Sequence, residues 1–202
     1  MVRWVHLYLS MVGFAALFFF SVTGLTLNHP TWLGASEEHM ETVEGEINSE
    51  WLGYQELADA ADAEEATDVE AGVDRLEIAE WLREQHQLRG KVSDFRIDEY
   101  ECSLSFVGPA YSADVVIDRE TAHYDVTIVS HGFVALINDL HKGRDSGAAW
   151  SWVIDVTAVL LVISSLTGVW LLLYIKRKRA SGLWTGVIGT LLLFAVYWWA
   201  VP

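Results

Sequence analysis

Residues 7–27, LYLSMVGFAALFFFSVTGLTL, run for 21 positions without a charged side chain. At about 1.5 Å of rise per residue, a helix of that length covers about 30 Å, the thickness of a bilayer's hydrocarbon core. A backbone in lipid must satisfy its own polar groups, so this stretch is read as a transmembrane helix. Two further stretches share the property. One runs from about Trp150 to Ile175, broken only by Asp155, and the other from Leu183 to Val201. The first apolar core is too long for a secretory signal. Bulky Leu25 and Leu27 also follow Thr23-Gly24 where a cleavage site wants small residues, so the span is expected to stay attached.

Charge orients the spans. Arg3 precedes the first, and Lys176-Arg177-Lys178-Arg179 follows the second; these are the only basic residues outside 31–149. An excess of Lys and Arg marks the cytoplasmic side. The intervening segment holds 27 of 28 acidic and 8 of 13 basic residues, a net −19, and is placed on the opposite face. The expected layout is a transmembrane helix in 1–30, an acidic segment and small domain in 31–129, and an interfacial helix and loop in 130–149. A second span in 150–176, a basic cytoplasmic loop in 177–182 and a third span in 183–202 complete it. In a bacterial inner membrane the N-terminus is then cytoplasmic, and 31–149 and the C-terminus are periplasmic. Trp4 and Trp184 fall at the inner interface, and Trp32, Trp150, Trp152, Trp198 and Trp199 at the outer one, where half-wet indoles belong.

The composition excludes several classes. A chain that is 52% hydrophobic is not disordered, and a net charge of −15 argues against nucleic acid as a partner. The single cysteine, Cys102, excludes an intrachain disulfide, an iron–sulfur cluster held by this chain alone and c-type haem attachment. Neither a glycine-rich dinucleotide loop, a P-loop nor a His-Glu-x-x-His motif is present, so nicotinamide and flavin domains are not expected.

The outer segment has the size of one small domain. Its first part, Glu37–Gly72, is acidic and Ala-rich, with a helix expected around Trp51–Ala61 and an acidic linker over Asp62–Gly72. A second helix runs from Val73 to about Leu88, with Val73, Leu76, Ala79 and Leu82 at helical spacing and Gly90 as its stop. Strand alternation follows at Phe95/Ile97, Leu104/Phe106, Val115/Ile117 and Tyr124/Val126/Ile128, with turns at Gly108-Pro109 and Asp118–Thr121. One helix against a three- or four-stranded antiparallel sheet is the expected solution. From Ser130 to Leu140 the pattern returns to helical, as a short helix along the outer surface.

Three passages resemble the PepSY-associated transmembrane family: Trp4–Leu7 through Ser21–Pro30; Val116–Ala122, similar to the hairpin of a PepSY domain; and Asp139–Gly143 running into Trp150 and Ser165–Gly168. The resemblance implies a membrane α-helical protein with three transmembrane helices. A small extracytoplasmic α+β PepSY-like domain would be inserted between helices 1 and 2. Some larger members are inner-membrane reductases that bind b-type haem through histidines and reduce ferric siderophores. This chain has three spans rather than four, and Thr121-Ala122 where the PepSY pattern has Thr-Gly.

Four of the seven histidines fall at membrane boundaries: His6 inside, and His29, His131 and His141 outside. A bis-imidazole haem needs two rings facing each other across the porphyrin. His29 ends the first span and His141 leads into the second, so they are the preferred iron ligands. His131 is the alternate, placed with His141 on one helix about 80° apart. His6 lies roughly 30 Å away and would need a histidine from another chain, hence a homodimer or a partner subunit. Arg144 is a candidate for pairing with haem propionates. The competing reading is that these histidines sit at the interface because their rings are amphipathic. His39, His86 and His123 show no metal-ligand spacing and are read as surface residues.

Asp155 is the only carboxylate inside a span and is either hydrated at the interface or paired with Arg144 or His141. Gly182, Gly186 and Gly189 give the third span a small-residue packing face. Two functions are carried forward. One is a haem b redox protein, fed by quinol or a partner reductase and passing electrons to a periplasmic acceptor such as ferric iron or a ferric siderophore. The other is a non-catalytic, membrane-anchored PepSY accessory subunit that binds a partner protein.

Overall fold

The computed structural model describes residues 1–34, 36–54, 69–70 and 72–202. The helix expected over Trp51–Ala61 and the linker over Asp62–Gly72 lie largely outside the described residues. In chain order the elements are α1 (Val2–Asn28), β1 (Glu38–Glu46), α2 (Arg75–His86), β2 (Lys91–Ile97), β3 (Glu101–Gly108), β4 (Tyr111–Asp118), β5 (His123–His131), α3 (Phe133–Lys142), α4 (Gly147–Tyr174) and α5 (Arg179–Ala200). Short 3-10 turns occupy Trp32–Gly34 and Ser49–Trp51. Helices α1, α4 and α5 are long and apolar enough to cross a membrane. The chain divides into two units, Met1–Ser21 with Trp152–Pro202, and Val22–Ser151.

In the first unit α1 and α4 are antiparallel. Ser10 Oγ meets Ser164 Oγ at 2.8 Å, and His6 lies on Thr167. Gly13 faces Leu161, and Gly182 at the start of α5 lies against Leu172. Most remaining side chains of these helices are exposed, as apolar surfaces meant for lipid are.

The second unit is built on a five-stranded antiparallel sheet in the order β1-β5-β4-β3-β2. The alternation seen in the sequence has the expected sense. Leu104, Phe106, Val115, Ile117, Tyr124 and Val126 are all buried, and Ile78, Ala79 and Leu82 of α2 join the same core. Each such large apolar side chain contributes about 1.5–3 kcal/mol by leaving water. Cys102 belongs to this core, and burial pushes its thiol up, so it is a packing residue. Asp74 caps α2 by accepting from Glu77 N–H.

Three expectations need correction. The sheet has five strands, because residues of the acidic segment form β1 at its edge, paired with β5 from Glu38↔His131 to Glu46↔His123. β1 shows no apolar alternation because it is mostly exposed on both faces; backbone pairing holds it. Helix α2, expected to run to about Leu88, ends at His86, and its stop is the left-handed Gln87 rather than Gly90. Gly90 instead opens β2 with φ +88°, and a Cβ there would lie 2.3 Å from Val107 O. Finally, His131 is the last residue of β5 and is not on the surface helix, which starts after Gly132. The angular argument relating His131 to His141 on one helix therefore lapses.

The β4–β5 turn holds two residues whose burial the sequence conceals. Arg119 is 1% exposed. Its guanidinium donates to the carbonyls of Leu52 (3.0 Å), Val69 (3.1 Å) and Asp98 (2.8 Å), while its own N–H donates to Tyr100 O. One side chain thus holds three loops, and its Nη2 has no hydrogen-bond partner among the described residues. Ala122 has φ 58° and is buried, at the position where the PepSY pattern carries glycine. A left-handed non-glycine residue costs about 1–2 kcal/mol, whereas one buried methyl returns about 0.8 kcal/mol.

Ala122→Gly should therefore stabilise the domain by roughly 0.5–1 kcal/mol. Arg119→Ala, which strips three carbonyls of their donor, should destabilise it by about 3 kcal/mol or more. Hydrogen-exchange protection of β4 and β5 in the full chain reads both. His86 Nε2 meets Tyr124 OH at 2.8 Å, and partial burial holds the imidazole below its ordinary value of 6.5. A group with a depressed folded value takes up protons more readily when unfolded. Its contribution is complete above about pH 6.5 and is lost as pH falls through the lowered folded value. Protection of β5 should therefore fall on acidification, and less steeply in His86→Gln.

Candidate functional site

The second unit places its boundary histidine through a run of consecutive residues on α3. Asn138 Oδ1 accepts from Thr26 Oγ1 at 2.6 Å, and both residues are buried. Asp139 Oδ2 accepts from Ala110 N–H at 3.0 Å, tying the helix to the β3–β4 turn. Leu140 O accepts from Trp150 Nε1 at 2.8 Å. His141 Nδ1 lies 2.6 Å from Thr23 Oγ1, and its Cε1 faces Gly24, where a Cβ would sit at 3.8 Å. Thr23 and Thr26 are three residues apart on α1 and so share a face. Gly143, left-handed at φ 69°, stops α3 just past His141, and its N–H reaches back to Asp139 O and Leu140 O.

The first unit repeats the arrangement. His6 Nδ1 lies 2.9 Å from Thr167 Oγ1, and its Cε1 would be 3.3 Å from a Cβ on Gly168. The seats themselves repeat in sequence, Ser21-Val22-Thr23-Gly24 on α1 and Ser165-Leu166-Thr167-Gly168 on α4. Thr167 Oγ1 also lies 2.9 Å from both Ile163 O and Ser164 O of its own helix, so its hydroxyl stands between the helix backbone and the imidazole.

The other histidines have different partners. His29 stacks on Trp32 with ring centroids 3.8 Å apart and planes at 11°. His131 is exposed and faces Glu38, Nε2 to carboxylate 3.9 Å. Within the second unit, then, His29, His131 and His141 each have a contact of their own, with Trp32, Glu38 and Thr23. Arg144 is exposed after the end of α3, and Asp155 is exposed on α4. Of the α5 glycines, Gly182 meets a neighbour, whereas among the described residues nothing lies within 4 Å of a Cβ placed on Gly186 or Gly189.

A family model described as "Putative PepSY_TM-like" matches residues 1–202. The chain belongs to this family. No curated protein and no solved structure matches it. Two of the passages that carried the resemblance, Ser21–Pro30 and Asp139–Gly143, meet in this PepSY_TM-like chain at the Thr23–His141 contact.

Asn138 and Thr26 were not singled out from the sequence. The available signal was weak but present: Asn138 lies four residues after Val134, on the apolar side of α3. Thr26→Val leaves a buried Asn138 Oδ1 without its donor and should cost about 1–3 kcal/mol in a detergent-phase unfolding titration. The two seat glycines should respond differently to alanine. At Gly24 the new Cβ makes ordinary contact, so the helix-propensity gain of about 1 kcal/mol is retained. At Gly168 the 3.3 Å approach displaces His6 and offsets that gain. Melting temperatures of the two variants separate the cases.

Proposed function

We propose that this membrane PepSY_TM-like protein is a b-type haem redox protein of the bacterial inner membrane, its sheet domain periplasmic, passing electrons to a periplasmic acceptor of the ferric iron or ferric siderophore class. The observation that carries the reading is the seat at His141. An imidazole whose Nδ1 is held by a hydroxyl, with its ring edge over a glycine rather than a side chain, is oriented as metal-ligating histidines are. His6 on Thr167-Gly168 is the same preparation at the other end of the spans. The donor set fits haem b in kind: imidazoles and no paired cysteines.

Haem, when bound, supplies one-electron exchange at its iron. The chain's own residues bind and orient. His141 would hold the iron, with His29 or His131 as the second candidate ligand. Thr23 fixes the His141 ring, and Arg144 is an exposed cation for propionates. His6 would ligate a second group, completed by a histidine of another copy or of a partner subunit. Electrons would come from quinol or a membrane reductase. Arg3 in the first turn of α1 and Lys176–Arg179 after α4 support the cytoplasmic placement of those ends.

The test is the reduced-minus-oxidised spectrum and pyridine haem content of detergent-purified protein. α and Soret bands should appear in wild type, vanish in His141→Ala and weaken in His6→Ala. Thr23→Val, which keeps the ligand but not its orientation, should lower haem retention by about 10–100-fold. A folded preparation without these bands overturns the reading.

One observation favours the accessory-subunit alternative: Gly186 and Gly189 present a small-residue surface that no part of the described chain covers. On that reading a stoichiometric membrane partner co-purifies, is lost in Gly186→Leu/Gly189→Leu, and persists in His141→Ala.

A further inference from the structure

The outer face of the β1–β5 ladder gathers a donor set that sequence spacing does not show. Residues directly opposite in an antiparallel pair point to the same side of the sheet, and neighbours along a strand alternate. Val43↔Val126 and Gly45↔Tyr124 face the core. Glu44↔Asp125 and Glu46↔His123 therefore face away from it. Glu44, His123 and Asp125 are all exposed, and one potential ligand atom of each lies within 4.8 Å of the others.

This arrangement has an electrostatic cost without a cation. Like charges directly opposite on paired strands are destabilising, and Glu44 opposes Asp125 with Glu46 two residues away on the same face. The imidazole makes the set more than a patch of acids, because it adds a nitrogen donor of the kind first-row transition ions prefer. The three donors stand on strands rather than loops. The strand residues between them, Gly45 and Tyr124, are packed inward, so the donor backbones are held by the sheet. Zinc binds nitrogen and oxygen donors at about 2.0–2.2 Å, and rotation of exposed side chains is enough to close the present spacing onto an ion.

We propose that Glu44, His123 and Asp125 form a binding site for a divalent transition-metal ion on the outer face of the β1–β5 ladder. One imidazole and two carboxylates leave at least one coordination position open to water or to a ligand brought from solution. Calcium, which takes six to eight oxygen donors, is poorly matched to three side chains that include a nitrogen. Glu46, opposite His123, is placed to supply a fourth oxygen. The site is independent of haem: it uses none of His6, His29, His131 or His141.

The experiment is calorimetric titration of metal-free, full-length protein in detergent, without a polyhistidine tag, using Zn2+ and, separately, Ca2+. One saturable Zn2+ site per chain is expected, with Ca2+ much weaker. His123→Ala, Glu44→Gln and Asp125→Asn should each weaken Zn2+ binding by about 10-fold or more, whereas His39→Ala, an exposed histidine elsewhere on β1, should not. All the substituted side chains are exposed, so the variants should keep the wild-type far-ultraviolet circular dichroism. Zn2+ should also raise hydrogen-exchange protection of β1 in wild type but not in His123→Ala. The proposal is overturned if wild type shows no saturable Zn2+ site, if His123→Ala binds Zn2+ as wild type does, or if Ca2+ matches Zn2+ and only the net acidity matters.

Discussion

Asn138, Asp139, Leu140 and His141 reach four separate points of the second unit: Thr26 on α1, the Ala110 amide in the β3–β4 turn, the Trp150 indole on α4, and Thr23 on α1. Helix α3 is only ten residues long, below the length at which a helix is stable alone. Its N-cap, Gly132, offers no side-chain bond to the first turn. Its position is therefore set by these bonds together with the apolar face formed by Val134, Ile137 and Leu140. The placement of His141 depends on them: the buried Asn138–Thr26 bond and the His141–Thr23 contact together tie α3 to α1.

The first layer of the fold was legible because burial leaves a periodic trace. Three charge-poor stretches became three long helices, and alternation at Leu104/Phe106 and Val115/Ile117 became inward-facing strands. The trace fails where an element is exposed on both sides. Strand β1, EHMETVEGE, has nothing to alternate, and its existence rests on backbone pairing with β5. The trace also fails at junctions. The helical pattern from Ser130 onward absorbed His131, although β5 continues through it before Gly132 changes the direction of the chain.

Arg119 and Ala122 mark a different limit. An arginine in Asp118-Arg119-Glu120-Thr121 reads as a solvated turn residue, and nothing within that window reports that three carbonyls from Leu52, Val69 and Asp98 converge on it. Its environment is made by loops distant in sequence. Ala122 was visible as a departure from a glycine-bearing pattern, but its consequence, a buried left-handed alanine, required the backbone. The metal-ligand geometry at His123 is hidden for the same reason: Glu44 and Asp125 are 81 positions apart in sequence and become neighbours only through strand register.

The repeated Ser-x-Thr-Gly sequence bears on whether the boundary histidines are simply glue between helices. A threonine hydroxyl that rotates freely can bond either tautomer of an imidazole, donating to a bare nitrogen or accepting from a protonated one. Such a bond would serve packing equally well both ways. Thr167 lies equally close to two carbonyls of its own helix, so its hydroxyl is shared between the helix and the His6 ring. Packing explains the glycine at that seat: a Cβ on Gly168 would meet the imidazole at 3.3 Å, so a ring lying this close needs a residue without a side chain. Packing does not explain the other one, because a Cβ on Gly24 would make only ordinary contact with His141 at 3.8 Å. The seat at His141 is therefore the one whose glycine leaves space beyond what the helix contact uses.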